Sequence, residues 1–431
     1  MARLGPLGKR NPQCVCITDE TKAICHPGLM GHPCDLPCAC RDCIYNTCAQ
    51  KMTCIMSTLC EANGSFAFSL LKLLGQDDPA GNVFFSPVSL SSTMAMVLLG
   101  AKGDTESQIA QVLALNPKKD IHFGFQSLLT TVNRPDAPYS LSIANRLFGD
   151  ESCEFLPSFT ESCLKFYHAE VDQLPFAKAP EKSRKLINSW VSKKTEDKIQ
   201  ELLAEDSIGR GTRLVLVNAV YFKGRWDKKF AVSSTRTVPF TVNQKEKKPV
   251  QMMYREATFP LAQVREVRAQ VLELSYNGHE LSMVILLPDK GVDLSTLEDT
   301  LTFEKFQTWT SAERMKRTEV EVFLPRFKLQ EDYDMCSVLK RLGMEHAFEE
   351  GCADLSGMVA DSNLSLSKFV HKSVVEINEE GTEATAASAC MAVPCCASES
   401  RSVFRADHPF LFFIRHNKTN SLLFCGRFSS P

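Results

Sequence analysis

Hydrophobic periodicity changes several times along the chain. Phe66, Leu70, Leu71, Leu73 and Leu74 recur at helical spacing and predict a helix over residues 61–74. Ser86-Pro87 joins an N-cap residue to a proline at the first helical position, which predicts a second helix running to Gly100. Asp104-Thr105 ahead of Glu106 starts a third. Leu186, Ile187, Trp190, Val191, Ile199 and Leu203 mark one amphipathic helix over residues 182–204. Residues 214–222 then form a near-continuous apolar run, the pattern of a strand buried on both faces. Residues 270–276 and 281–287 read as strands joined through Asn277-Gly278, a pair suited to positive φ, and Glu319 to Leu324 alternates charged with apolar side chains.

One further stretch fits none of these patterns. Val374-Val375-Glu376-Ile377 begins as an alternating, half-buried strand, and after Gly381 the chain continues as Thr382, Glu383, Ala384, Thr385, Ala386, Ala387 and Ser388. A flexible linker would carry several glycines, whereas residues 382–389 contain neither glycine nor proline and only slim side chains. Such a segment can slide into a packed sheet without overfilling it, with Gly381 as its hinge. The bulkier part from Met391 to Cys396 then has the character of bait offered to another protein's cleft.

This segment resembles the hinge and reactive-centre loop of a serpin. Further matches are Asn82-Val83-Phe84-Phe85-Ser86-Pro87, Asn218-Ala219-Val220-Tyr221-Phe222-Lys223-Gly224-Arg225-Trp226, Asp407-His408-Pro409-Phe410 and Phe424-Cys425-Gly426-Arg427-Phe428. They occur in family order from about Met56 to Pro431, and the branch the chain most resembles is the ovalbumin-type intracellular one, near the granzyme B inhibitors. The resemblance implies an α+β serpin fold with three β-sheets, eight to nine helices and an exposed reactive loop over about residues 379–403. It also implies a polar cluster beneath the parting sheet, Ser86, Ser89, Asn218 and His371, and a breach at the loop's foot made by Trp226, Arg326 and Glu379. Inhibitory members tend to place the scissile bond fourteen residues after the hinge glycine, which here is Cys395-Cys396, with Met391 as the second candidate. Arg401 lies too far along for the usual loop length.

Composition narrows the rest. Length alone would suggest two or three domains; the resemblance implies one large domain over residues 56–431, after a Cys-rich extension over residues 1–55. Nine of the eighteen cysteines fall in that extension, without a secretory h-region. A zinc site from Cys38, Cys40 and Cys43 with Cys34 or His32 matches no standard ligand spacing, so an atypical upstream exon is the plainer reading and no metal is expected. The remainder has 43 Lys+Arg against 47 Asp+Glu and sparse cysteines, which suits a reducing compartment. Neither nucleic acid nor membrane is expected as partner, because the net charge is −2 and no apolar run approaches the roughly 18–20 residues that span a bilayer. The resemblance implies a cytoplasmic monomer, with nuclear entry or unconventional release left open. The N-x-[ST] sequons at Asn63, Asn363 and Asn417 then read as chance.

No G-x-S-x-G, G-x-x-x-x-G-K-[ST], H-E-x-x-H or dinucleotide fingerprint is present in a fitting context, and no cofactor is expected. Cys395 and Cys396 have no basic neighbour before Arg401 to lower a thiol pKa, so they are not read as catalytic nucleophiles. The resemblance implies instead inhibition of a serine protease by suicide trapping. Relatives that inhibit granzyme B carry an acidic residue where this chain has Cys395; a small thiol suits a shallow apolar pocket, favouring elastase-like or chymotrypsin-like granule proteases alongside granzyme-type ones. The competing reading is a non-inhibitory serpin serving as a binding, storage or chaperone-like protein, which would tend to carry bulky or charged residues in the hinge.

Overall fold

The structure, a computed structural model, describes residues 41–116, 120–360, 364–382 and 402–431, with the backbone alone over 41–51. The candidate zinc ligands His32, Cys34, Cys38 and Cys40, hinge residues 383–388, Met391, Cys395, Cys396, Arg401 and Asn363 lie outside the described residues, as does the side chain of Cys43. The chain divides into two compact units, Met1–Thr58 and Leu59–Pro431. The helix expected over 61–74 is part of a longer α1 (Arg41–Asp77). There follow β1 (Val83–Phe85), α2 (Pro87–Leu98), α3 (Gly103–Val112), α4 (Ile121–Val132), β2 (Tyr139–Asp150), α5 (Pro157–Tyr167), β3 (Val171–Leu174) and α6 (Pro180–Lys194). The middle of the chain holds β4 (Leu214–Arg225), β5 (Arg236–Thr241), β6 (Lys247–Val264), β7 (Ala269–Ser275), β8 (Leu281–Pro288), α7 (Leu294–Thr300) and α8 (Phe303–Trp309). The last part comprises β9 (Lys316–Asp334), α9 (Met335–Arg341), β10 (Lys368–Asn378), β11 (Gly381–Thr382), β12 (Ser402–Arg405), β13 (Phe410–His416) and β14 (Ser421–Phe428).

The architecture is α+β, with nine α-helices among the described residues. Instead of the three expected sheets, the fourteen strands form one hydrogen-bonded network: twelve lie on a continuous path, and β5 and β12 branch from it at β6 and β9. Length is the reason: β9 pairs with β6 through residues 316–326 and with β10 through residues 327–334. The set that matters for function runs β9, β10, β4, β2, β3, and within it β10 and β4 are parallel neighbours.

Local chemistry explains most boundaries. Ser86 caps α2 by accepting from the Ser89 N–H, Pro87 begins the helix, and every residue of α2 is buried. Asp104 lies inside the first turn of α3 rather than capping it, because the N-cap position is Lys102. The helix expected over 182–204 stops at Lys194; Glu196 and Asp197 have φ of 51° and 60°, which ends helical winding, while Ile199 and Leu203 still reach the core from irregular backbone. In the β7–β8 turn the positive φ values fall on Gly278 and His279, one position beyond the expected pair. β10 is buried at most positions rather than half-buried. Val370 and Val374 pack beneath Ile187 and Val191 of α6, whereas His371 and Ser373 bond to Ser86 and Phe84, so both faces of the strand are covered.

Candidate functional site: the seam between two parallel strands

β10 and β4 are in register from Lys368↔Val215 to Val374↔Tyr221, and there their direct ladder stops. Above it the chain leaves β10 and turns back. The Asn378 side-chain Oδ1 accepts from the N–H groups of Glu380 (3.0 Å) and Gly381 (3.3 Å), which closes a tight reversal. Gly381 then sits at φ 145° in a place where a Cβ would come within 2.1 Å of the Gly224 carbonyl oxygen, so glycine is required.

The reversal delivers β11 between the separated strands. Gly381 and Thr382 pair antiparallel with Asn378 and Ile377 on one side and with Arg225 and Gly224 on the other. Thr382 is fully buried, and its hydroxyl shares a 3.0 Å hydrogen bond with Tyr276 Oη. The Tyr276 ring stacks on Trp226 at 4.6 Å and meets Phe222 edge-on at 5.2 Å. Burial raises the Tyr276 pKa above the usual phenol value, so the hydroxyl stays protonated and able to donate. Trp226 Nε1–H donates to the Asn378 carbonyl (3.0 Å), and the N–H groups of Trp226 and Phe230 bind the carbonyls of Glu380 and Glu379 (both 2.9 Å).

Arg326 stands 3.9 Å from the Glu379 carboxylate and is half exposed. The shorter partner of that carboxylate is the Thr235 hydroxyl, which donates at 2.7 Å. Lys229 holds the neighbouring Glu380 at 2.5 Å. Trp226, Arg326 and Glu379 do come together, but backbone hydrogen bonds and an aromatic stack hold the loop's foot more firmly than the Arg326–Glu379 contact.

A second polar group lies lower in the seam. His371 and Asn218 are register partners on β10 and β4. The Ser86 N–H donates to His371 Nε2 (3.2 Å), so the imidazole proton sits on Nδ1 and is donated to Asn218 Oδ1 (2.6 Å). The Asn218 amide faces Ser89 Oγ (2.9 Å), Thr93 Oγ1 (2.8 Å) and Asn145 Oδ1 (2.9 Å). Ser89 Oγ–H donates to Asn145 Oδ1 and Thr93 Oγ1–H to the Ser89 carbonyl, which leaves both hydroxyl oxygens able to accept from Asn218. Burial lowers the His371 pKa to about 3, consistent with the acceptor role of Nε2. All four predicted residues meet here. Thr93, Asn145, Thr235 and Tyr276 were missed, because an isolated polar residue in an apolar element carries no periodic signal.

A protein-family model described as Serpin (serine protease inhibitor) matches residues 61–431. The chain belongs to the serpin family. It is 64% identical over 376 residues to Serpin B9 of Homo sapiens, and the match covers 87% of this chain and 100% of that protein. Over 380 residues it is 48% identical to the Leukocyte elastase inhibitor of Equus caballus, with the same coverage. Among solved structures, uncleaved ovalbumin matches with a TM-score of 0.80 at 36% identity, covering 87% of this chain and 100% of ovalbumin. Human thyroxine-binding globulin complexed with thyroxine matches with a TM-score of 0.80 at 29% identity, covering 88% and 99%. These relatives place this serpin in the ovalbumin-type branch.

Asn63 is buried and its amide donates to the Leu422 carbonyl, so its sequon is closed to modification in the folded serpin. Among the described residues, Cys54, Cys60, Cys153, Cys163, Cys336, Cys352 and Cys425 are not joined in disulfides. No described helix is long and apolar enough to cross a membrane.

Proposed function

We infer that this serpin, a serine-protease inhibitor rather than an enzyme, traps its target by offering Cys395-Cys396 as a substrate bond. The protease's serine oxygen attacks the Cys395 carbonyl carbon, the amine of Cys396 leaves, and an ester joins the two proteins. The freed hinge then extends β11 downward through the seam before water can cleave the ester. Loop insertion in serpins is a well-known strain-releasing transition.

The observation that carries this reading is β11 itself, which already lies antiparallel to both β10 and β4. Continued from an inward-facing Thr382, strand alternation turns Ala384, Ala386 and Ser388 toward the buried face and Glu383, Thr385 and Ala387 outward. The inward side chains are small, and the β-branched Thr385 escapes burial. If about a dozen residues gain ladder bonds at a net of roughly 0.5–1.5 kcal/mol each, insertion releases on the order of 10 kcal/mol.

The target is an elastase-like, chymotrypsin-like or granzyme-type protease, and the serpin acts as a cytoplasmic monomer. The thiol of Cys395 and the relative named as an elastase inhibitor support the target class, and the sparse cysteines of residues 56–431 support a reducing compartment. The binding-protein alternative draws on the thyroxine-binding globulin likeness. The deciding experiment mixes the full chain with a panel of such proteases, followed by denaturing gels and mass-spectrometric mapping of the cut. A denaturation-resistant complex joined at Cys395 supports trapping. Clean cleavage with no complex and no gain in thermal stability supports the binding protein.

A further inference from the structure

Asn-Gly occurs at Asn63-Gly64 and at Asn277-Gly278, and the fold treats the two pairs oppositely. Asn63 is buried in α1, where its amide donates to the Leu422 carbonyl (3.2 Å) and accepts from Ser91 Oγ (3.2 Å), and Gly64 lies within the helical ladder. Asn277 and Gly278 are exposed in the β7–β8 turn. Neither the Asn277 side chain nor the Gly278 N–H bonds to a described residue. A bulkier, shielding residue cannot replace Gly278, because its φ is 81° and a Cβ would lie 2.7 Å from the Pro138 ring.

That combination permits a ring closure. The Gly278 nitrogen, its proton lost to water, bonds to Asn277 Cγ; the Cγ–Nδ2 bond breaks, and ammonia leaves with a proton taken from water. One water then opens the imide at either carbonyl, leaving aspartate or isoaspartate.

The place of the turn gives the reaction a consequence. The Asn277 N–H donates to the Arg225 carbonyl (2.7 Å), and Arg225 is the β4 residue that pairs with Gly381. Trp226 and Tyr276 are bridge partners beside it, and Pro138 leads into β2, whose Tyr139 pairs with Gly224. The His279 N–H closes the turn on the Tyr276 carbonyl (2.9 Å), across the linkage that reacts. Isoaspartate lengthens the main chain by a methylene inside that closed turn, so the closing bond and the grip on Arg225 lose their register.

We propose that Asn277 converts spontaneously to isoaspartate in the folded protein, and that this form loosens β11 and turns the inhibitor into a substrate. The second half rests on the trapping mechanism above; the first does not.

The test ages the full-length protein at neutral pH and body temperature in water enriched in oxygen-18, so that heavy oxygen enters at residues that pass through the imide. Peptide mapping locates the label, and an isoaspartate-specific methyltransferase counts the isoaspartate. In the folded chain, label at Asn277 should exceed label at Asn63 by at least about tenfold, because the Asn63 pair must first break its hydrogen bonds. In urea the two pairs should label alike. The deamidated fraction, separated by anion exchange, should need about twofold or more serpin per protease inactivated and be nicked faster in the hinge. Fresh Asn277→Asp carries the charge without the extra methylene and should trap like the native chain. Asn277→Gln, which needs a larger imide ring, should take up no label and keep its stoichiometry on ageing. Equal labelling of the two pairs in the folded chain, or no label at Asn277 while the unfolded chain labels, overturns the site. A deamidated fraction that matches fresh protein in both trapping and nicking overturns the consequence. If fresh serpin traps none of the proteases, the trapping mechanism fails, while label and nicking rate still judge this proposal. If Asn277→Gln fails to fold, the contrast between folded and urea-unfolded native chain decides.

Discussion

Thr382→Arg is the sharpest perturbation of the trap. Thr382 is fully buried between Gly224 and Ile377, with its hydroxyl on Tyr276 and the Trp226–Tyr276 stack behind it. An arginine there cannot shed its proton, and Tyr276 is a hydroxyl rather than a carboxylate, so no countercharge is at hand. Burying an unpaired charge costs several kcal/mol even after relaxation. The side chain escapes by leaving the sheet, which withdraws β11, and insertion must then begin without its first paired residues. Taking about 3 kcal/mol as the added barrier, insertion slows by more than a hundredfold against an unchanged rate of ester hydrolysis. The stoichiometry of inhibition, measured by titrating residual protease activity, should rise steeply, and denaturing gels should show cleaved serpin in place of complex. Thr382→Ser keeps the hydroxyl and should trap like the native chain. Equal stoichiometry for Thr382→Arg and the native chain would refute the claim that this side chain enters the sheet.

Three further outcomes follow from the same geometry. Gly381→Ala places a Cβ 2.1 Å from the Gly224 carbonyl oxygen at a φ of 145°, so it should expel β11 through the backbone and speed proteolytic nicking of the hinge, read as a cleavage time course. His371 has a folded pKa near 3 against an ordinary 6.5, so the unfolded chain binds the extra proton between those values; stability is whole above pH 6.5 and declines as pH falls toward 3. At pH 5 the loss is about 2 kcal/mol, visible as a urea midpoint that falls less in His371→Gln than in the native chain. Asn218→Ala strips the partners from His371 Nδ1, Ser89 and Thr93 at once; it should cost about 2–4 kcal/mol in thermal or urea unfolding and hasten polymer formation on native gels.

Much of this site could be read before any coordinates, and for identifiable reasons. Residues 382–388 are slim throughout, a compositional signal that survives without contacts, and Gly381 and Ser86-Pro87 are backbone devices whose meaning is local. The partners of those devices were less legible. Asn218 and Ser89 lie 129 residues apart in sequence and meet only through the fold. Arg326 came from the resemblance alone, and a half-exposed contact at 3.9 Å contributes little beside the part-buried Thr235 hydroxyl and the buried Tyr276 hydroxyl. The end of α6 was misplaced because Ile199 and Leu203 keep the helical period after Glu196 and Asp197 have broken the winding.

The positions of the two polar features imply different duties. A strand advancing from Thr382 meets the top rung, Val374↔Tyr221, and must part Ser373↔Val220 and Lys372↔Ala219 before reaching His371↔Asn218. The rungs above the cluster belong to a parallel ladder, the slightly weaker pairing, and insertion replaces them with antiparallel ladders on both sides. Under the proposed trapping mechanism, the breach is then expected to govern whether insertion begins within the lifetime of the ester, and the His371–Asn218 cluster whether the seam opens without cleavage. Substitutions at Thr382 and Gly381 should accordingly change trapping with little change in unfolding free energy, whereas substitutions at Asn218 and His371 should change both. A Thr382→Arg variant as unstable as Asn218→Ala would contradict that division and make the whole seam one cooperative unit.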